Sequence, residues 1–174
     1  MKKFSLLLII VFISIIVLTG CDKLVKNPRT ITVKLNKGEA TLVFDETRQT
    51  KLNSLANNFF LQNEAFNYSL YFGSYSNKKD ELDNLLKEFK EDKDSKFLEM
   101  IKINKYTGFG KVNKKTGAAE IYMILNKKKS DVLTIRVNAM NAKKLKIDEN
   151  KPEKAVYKTE AVSEILNTLK YKDK

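Results

Sequence analysis

AAEIYMILNKKKSDVLTIRVNAM, residues 118–140, holds two runs in which apolar and polar residues alternate, separated by a charged stretch. In the second run Leu133, Ile135 and Val137 face one way. A period of two is the mark of a half-buried strand. Lys127-Lys128-Lys129-Ser130-Asp131 between the runs reads as a hairpin loop. Two strands joined by so short a loop must pair antiparallel, because a parallel connection needs a dozen or more residues.

The same pattern extends in both directions. Ile31, Val33 and Leu35 alternate with Thr32 and Lys34, and Asn36-Lys37-Gly38-Glu39 forms a turn. Thr41-Leu42-Val43-Phe44 then returns, which makes a second hairpin. Residues 65–75 alternate with Phe66, Tyr68, Leu70 and Phe72 on one face, and Ile101 and Ile103 mark a further strand. Gly108 and Gly110 flank Phe109 in an expected turn or bulge.

Three segments carry helical spacing. Leu52, Leu55, Ala56, Phe59 and Phe60 fall at i, i+3, i+4, i+7 and i+8, with Thr50 as N-cap. Asn77, with Asp80 three residues later, opens a helix whose apolar face is Leu82, Leu85, Leu86 and Phe89; Lys90–Lys96 follows as a charged loop. Thr159 caps a final helix bearing Ala161, Val162, Ile165, Leu166 and Leu169. The expected order is β-β-α-β-α-β-β-β-α. That is an α+β fold, a mainly antiparallel sheet flanked by two or three helices. The stretches VLTIRVNAM (132–140) and KTEAVSEILNTLKY (158–171), with AAEIYMILN before them, resemble the end of Mog1/PsbP-like domains. That fold group serves unrelated jobs, so the resemblance implies a fold and no function.

The amino terminus has a different character. Lys2 and Lys3 precede an apolar run from Leu6 to Leu18 broken only by Ser14. Such a run covers roughly 20 Å as a helix, short of the roughly 30 Å of a bilayer core. A basic start, a short apolar stretch and small residues at its end mark a secretory signal peptide. Leu18-Thr19-Gly20-Cys21 closes it. This resembles the lipobox of bacterial lipoproteins, which implies a cleavable leader. By that resemblance the Cys21 sulfur takes a diacylglyceryl group and a dedicated peptidase, reading Leu18, Thr19 and Gly20, cuts before Cys21. The expected organisation is residues 1–20 as signal peptide, 21–29 as lipidated cysteine and tether, and 30–172 as one α+β domain at the extracytoplasmic face of the membrane. Cys21 is the chain's single cysteine, so lipidation leaves no thiol for disulfides, zinc or catalysis.

Composition narrows the function. The formal charge is +12, and loss of Lys2 and Lys3 with the leader leaves +10. Only Arg29, Arg48 and Arg136 are arginines, whereas planar bidentate phosphate recognition favours arginine. Nucleic acid is therefore not an expected partner; anionic lipid headgroups or wall polymer are, with Lys127, Lys128 and Lys129 as candidate contacts. The chain has no histidine, which removes the commonest general base and metal ligand. Asp80/Asp83 and Glu91/Asp94 lie among lysines and read as solvated ion pairs. TGFGKVNKKT, residues 107–116, lacks the second glycine of a phosphate loop and reads as turns joining strands. No catalytic residue, metal or cofactor is expected.

Phe59–Tyr75 holds seven of the seventeen aromatics. Core packing accounts for most of them, and Tyr71 and Tyr75, opposite Tyr68 and Phe72, are candidates for a partner surface. The expectation is a non-catalytic binding or interaction module. The alternatives are a small apolar-ligand carrier, or an immunity or exclusion lipoprotein acting against a toxin or phage.

Overall fold

The computed structural model describes residues 27–48, 51–75, 79–126, 131–141 and 155–174. The leader, Leu18, Thr19, Gly20, Cys21, Lys127, Lys128 and Lys129 lie outside the described residues, as do the expected caps Thr50 and Asn77.

The central hairpin is β8 (Ala119–Asn126) and β9 (Asp131–Ala139), paired antiparallel. β9 pairs next with β5 (Tyr68–Tyr75), and β8 with β7 (Tyr106–Asn113). β6 (Ser95–Ile103) closes one edge; β4 (Asn58–Asn63) and β3 (Lys51–Leu55) close the other. The result is a seven-stranded antiparallel sheet in the order β3-β4-β5-β9-β8-β7-β6. β1 (Pro28–Lys34), β2 (Gly38–Asp45) and β10 (Lys170–Asp173) form a second, three-stranded sheet. Two α-helices complete the described residues: α1 (Lys79–Glu91) and α2 (Glu160–Leu166). A mainly antiparallel α+β architecture is thus as expected.

The two faces of the large sheet are buried differently. On one, Leu70, Phe72, Ile121, Met123, Leu133 and Ile135 pack with Ile31, Leu42 and Phe44 of the small sheet and with Val162 and Ile165 of α2. Each such side chain contributes about 1.5–3 kcal/mol when fully buried. On the other, Phe89 of α1 seats among Phe109, Tyr122 and Val132, with Leu82, Leu85 and Leu86 half buried beside them. These are the residues whose helical spacing defines α1. The helix covers only the β6-β7-β8 side of its face.

Several expectations are corrected. Residues 52–60 form no helix; they are β3, a two-residue connection and β4. The apolar spacing there satisfies both periods. Asn53, Ser54, Asn57 and Asn58 are poor helix formers, and Ala56 adopts φ 52° to turn the chain. Asn57 locks that turn onto β1: Lys34 N–H donates to its Oδ1 at 2.6 Å, and its Nδ2 donates back to Lys34 O. Leu55 is left 81% exposed. Phe66 lies in the β4–β5 turn, not in the strand, and is 45% exposed. Gly108 and Gly110 sit inside β7 rather than in a turn, and the register irregularity at this place falls opposite them on β6, between Leu98 and Ile101. They are glycines because β8 approaches closely: a Cβ at either would overlap the carbonyl oxygen of Tyr122 or Glu120. Residues 90–96 are not all loop, since α1 runs to Glu91 and β6 begins at Ser95. The chain ends on β10, a strand that the helical spacing through Leu169 did not announce. β1 begins at Pro28, two residues before the expected start of the domain.

One polar cluster ties the sheets together. Asp131, at the start of β9, is 1% exposed. Its carboxylate accepts Lys37 N–H at 2.9 Å and lies 2.7 Å from the Tyr171 hydroxyl of β10. That hydroxyl is also 2.6 Å from Asp173 Oδ1. Burial, and then the two carboxylates, push the Tyr171 pKa well above the ordinary tyrosine value. Burial and Glu120 do the same to Tyr122. A group that holds its proton more tightly when folded adds stability below its unfolded pKa, about 10 for tyrosine, and that stability is lost as pH rises above it. The urea midpoint is expected to fall more steeply above about pH 10 in the wild type than in Tyr171→Phe, whose loss at pH 7 is about 1–2 kcal/mol. Parallel pH curves for the two proteins would show that Tyr171 does not carry this dependence.

Candidate functional site

Because every strand pair is antiparallel with a defined register, side chains from seven strands line up across the helix-bearing face. The row runs Asn53, Phe60, Tyr71, Arg136, Glu120, Lys111, Phe97 from β3 to β6. Aromatic residues stand toward both ends and a cation–anion–cation series occupies the middle. α1 covers the Lys111–Phe97 end, where Lys111 Nζ lies 4.6 Å from the Phe89 ring centroid. No element among the described residues covers the remainder, from Asn53 to Glu120.

The charges in the row are paired. Arg136 Nε and Nη2 each donate to Glu120 Oε1 at 3.1 Å, and Tyr122 OH donates to the same oxygen at 2.9 Å. Burial works against the guanidinium charge, but Glu120 outweighs it and raises the Arg136 pKa. Lys111 Nζ donates to Asp92 Oδ2 at 2.9 Å, just beyond the C-terminus of α1. That bond is the largest of the causes that hold the Asp92 carboxyl below its usual pKa. Tyr71 OH donates to Asn58 Oδ1 at 2.6 Å, and the Arg136 guanidinium carbon sits 5.6 Å from the Tyr71 ring centroid. Gly73 leaves the room this needs, since a Cβ there would strike both Asn58 Oδ1 and Tyr71 OH.

Beside the row, past the end of α1, opens a cavity of about 410 Å³. Its polar lining includes Asp94, Asn113, Glu120, Arg136 and Asn138, and its apolar lining is Ala118 and Ala119 alone. The volume falls within the range of small-molecule sites. No group of three or more potential metal-ligating side chains occurs among the described residues. Of the cavity's carboxylates, Asp92 is engaged with Lys111 and Glu120 with Arg136 and Tyr122.

Of the residues singled out in the sequence, Tyr71 stands at the centre of this open face. Tyr75 shares its side of β5 but packs edge-on against Tyr122, ring centroids 5.1 Å apart, within the cluster under α1. The two tyrosines therefore do not form one joint surface. Phe60, Glu120, Arg136 and Asn138 were not singled out. Arg136 alone had left a trace, as one of three arginines in a lysine-rich chain and the one lying within a strand pattern.

Comparison with protein-family models, curated proteins and solved structures finds no significant match.

Phe89→Ala is expected to cost about 3–5 kcal/mol, because the cavity it leaves sits where α1 grips the sheet. Urea unfolding of the two proteins measures it. A loss below about 1 kcal/mol would mean that α1 is held by something other than this aromatic contact.

Proposed function

We propose that the chain is an extracytoplasmic lipoprotein, held at the cell membrane by a diacylglyceryl group on Cys21, in which one α+β domain acts as a non-catalytic binding module. The observation that carries the anchor is Leu18-Thr19-Gly20-Cys21 at the end of a short apolar leader. Two acyl chains anchor stably, because each buried methylene contributes about 0.8 kcal/mol. β1 begins at Pro28, so the link from Cys21 reaches at most about 25 Å and holds the domain close to the bilayer. No helix among the described residues is long and apolar enough to cross a membrane.

The binding half of the proposal rests on the uncovered sheet face. Among the described residues the sheet is flanked on one side by a second layer and on the other by a single helix over part of its width, and so presents a platform of strand side chains. The polar lining of the cavity favours a small polar ligand over an apolar cargo. In this reading the domain's resemblance to Mog1/PsbP-like domains is one of architecture only.

The anchor is tested by Cys21→Ser in the native host. The wild type is expected to partition into the detergent phase and to incorporate labelled fatty acid, while the variant does neither and keeps its leader. A Cys21→Ser protein that remains as firmly bound as wild type would remove the lipoprotein reading.

A further inference from the structure

We infer that the open half of the large sheet is a binding site for a neutral oligosaccharide, with Phe60 and Tyr71 stacking on a sugar ring and the cavity at Asn138 taking its hydroxyl groups. This rests on the reading of the chain as a binding module and names the ligand class of that site.

Charge is the first argument. The chain carries 33 Lys plus Arg, of which three are Arg, yet β3, β4, β5 and β9 register a single lysine on this face, Lys51 at the outer edge opposite Gln62, and the row from Asn53 to Glu120 holds a single cation. Its one cation, Arg136, is neutralised by Glu120, and the neighbouring Lys111 by Asp92. An anionic polymer or headgroup would have to open one of those pairs, while lysine-rich surface is available elsewhere. An uncharged ligand meets no such barrier.

Hydrogen-bonding chemistry is the second. A sugar hydroxyl donates one bond and accepts others, so it suits a surface that offers both. Asn53 and Asn138 present amides with both capacities on this face, and beside them the Asn58 amide nitrogen and the Gln62 amide oxygen add a donor and an acceptor. The carboxylates of Glu120 and Asp94 add acceptors at the cavity. The lining offers no large apolar side chain for an apolar cargo.

Rigidity is the third. Tyr71 is fixed by Asn58 and backed by Arg136; Arg136 is fixed by Glu120, and Glu120 also holds Tyr122. Groups already held in place lose little freedom on binding. Register sets Phe60 directly opposite Tyr71, which gives adjacent rings whose faces can take the C–H side of a pyranose. The row continues without interruption from these rings to the cavity, so one extended chain reaches both.

The test titrates the full chain, purified in detergent, with chitohexaose, cellohexaose, maltohexaose and an acidic hexagalacturonate, followed by NMR. At least one neutral hexamer is expected to bind and to shift the side-chain amides of Asn58 and Asn138. Tyr71→Ala and Phe60→Ala should each weaken that binding by about tenfold, while Tyr71→Phe keeps it within about twofold. Asn138 is exposed, so Asn138→Ala removes hydroxyl contacts without disturbing the core and should also weaken binding. The inference is overturned if none of the neutral hexamers binds with a Kd below about 1 mM. Tighter binding of the acidic hexamer, or shifts that map away from this face, would overturn it too. So would a change in self-association on Tyr71→Ala without any glycan effect, because the face would then hold protein. Detergent partitioning of the same preparation reads the lipid anchor separately, so failure of one proposal leaves the other measurable.

Discussion

Along β8 and β9 consecutive side chains are buried on opposite sides. Ile121, Met123, Leu133 and Ile135 pack toward the small sheet and α2, whereas Tyr122 and Val132, between them in sequence, pack toward Phe89 of α1. Both apolar clusters meet along these two central strands, and β7 joins them with Val112 on one side and Phe109 on the other. Everything further out depends on them. β5 and β7 pair onto their edges, and the small sheet can close over the core only because that face is uniformly apolar. Asp131, at the first residue of β9, then fastens the β1–β2 turn and β10 through Lys37 N–H and Tyr171.

The cover on the two sides is unequal, and that inequality makes the candidate site. A three-stranded sheet with a helix spans the core face. A single thirteen-residue helix spans part of the other. Where α1 stops, the side chains of the sheet pass from Phe109 and Tyr122 to Glu120, Arg136 and Tyr71, and from contact between rings to paired charges and amides. The ion pairs of Arg136 with Glu120 and of Lys111 with Asp92 are partly exposed, so each contributes little to stability. Their effect is positional: they hold donors and acceptors at fixed spacing across adjacent strands.

The hairpin of residues 118–140 was legible because Leu133–Asn138 alternates and a short charged loop joins it to the apolar run before it, and α1 because four apolar residues share one helical stripe. β3 and β4 were not, since Leu52, Leu55, Phe59 and Phe60 satisfy a period of 3.6 as well as they fit strands. What settled the matter was the Ala56–Asn57 turn and the grip of Asn57 on Lys34, a contact across 23 residues. The row through Tyr71 was invisible for a related reason. Each member is an ordinary strand residue, and only the register between strands, fixed by tertiary packing, makes neighbours of Lys111, Glu120 and Arg136. Tyr71 could be singled out because it opposes an apolar face within one strand; Phe60 could not, because its strand was read as helix.

Native-state hydrogen exchange tests most directly whether the β8–β9 pair is what the domain is built on. The amides of Ile121–Met123 and Leu133–Ile135 should exchange only when the whole domain unfolds, with an opening free energy equal to the global stability from urea. Those of β3 and β10 should open at lower free energy. If β8 and β9 exchange faster than β1 and β2, the core is organised around the small sheet instead, and this account of the fold is wrong.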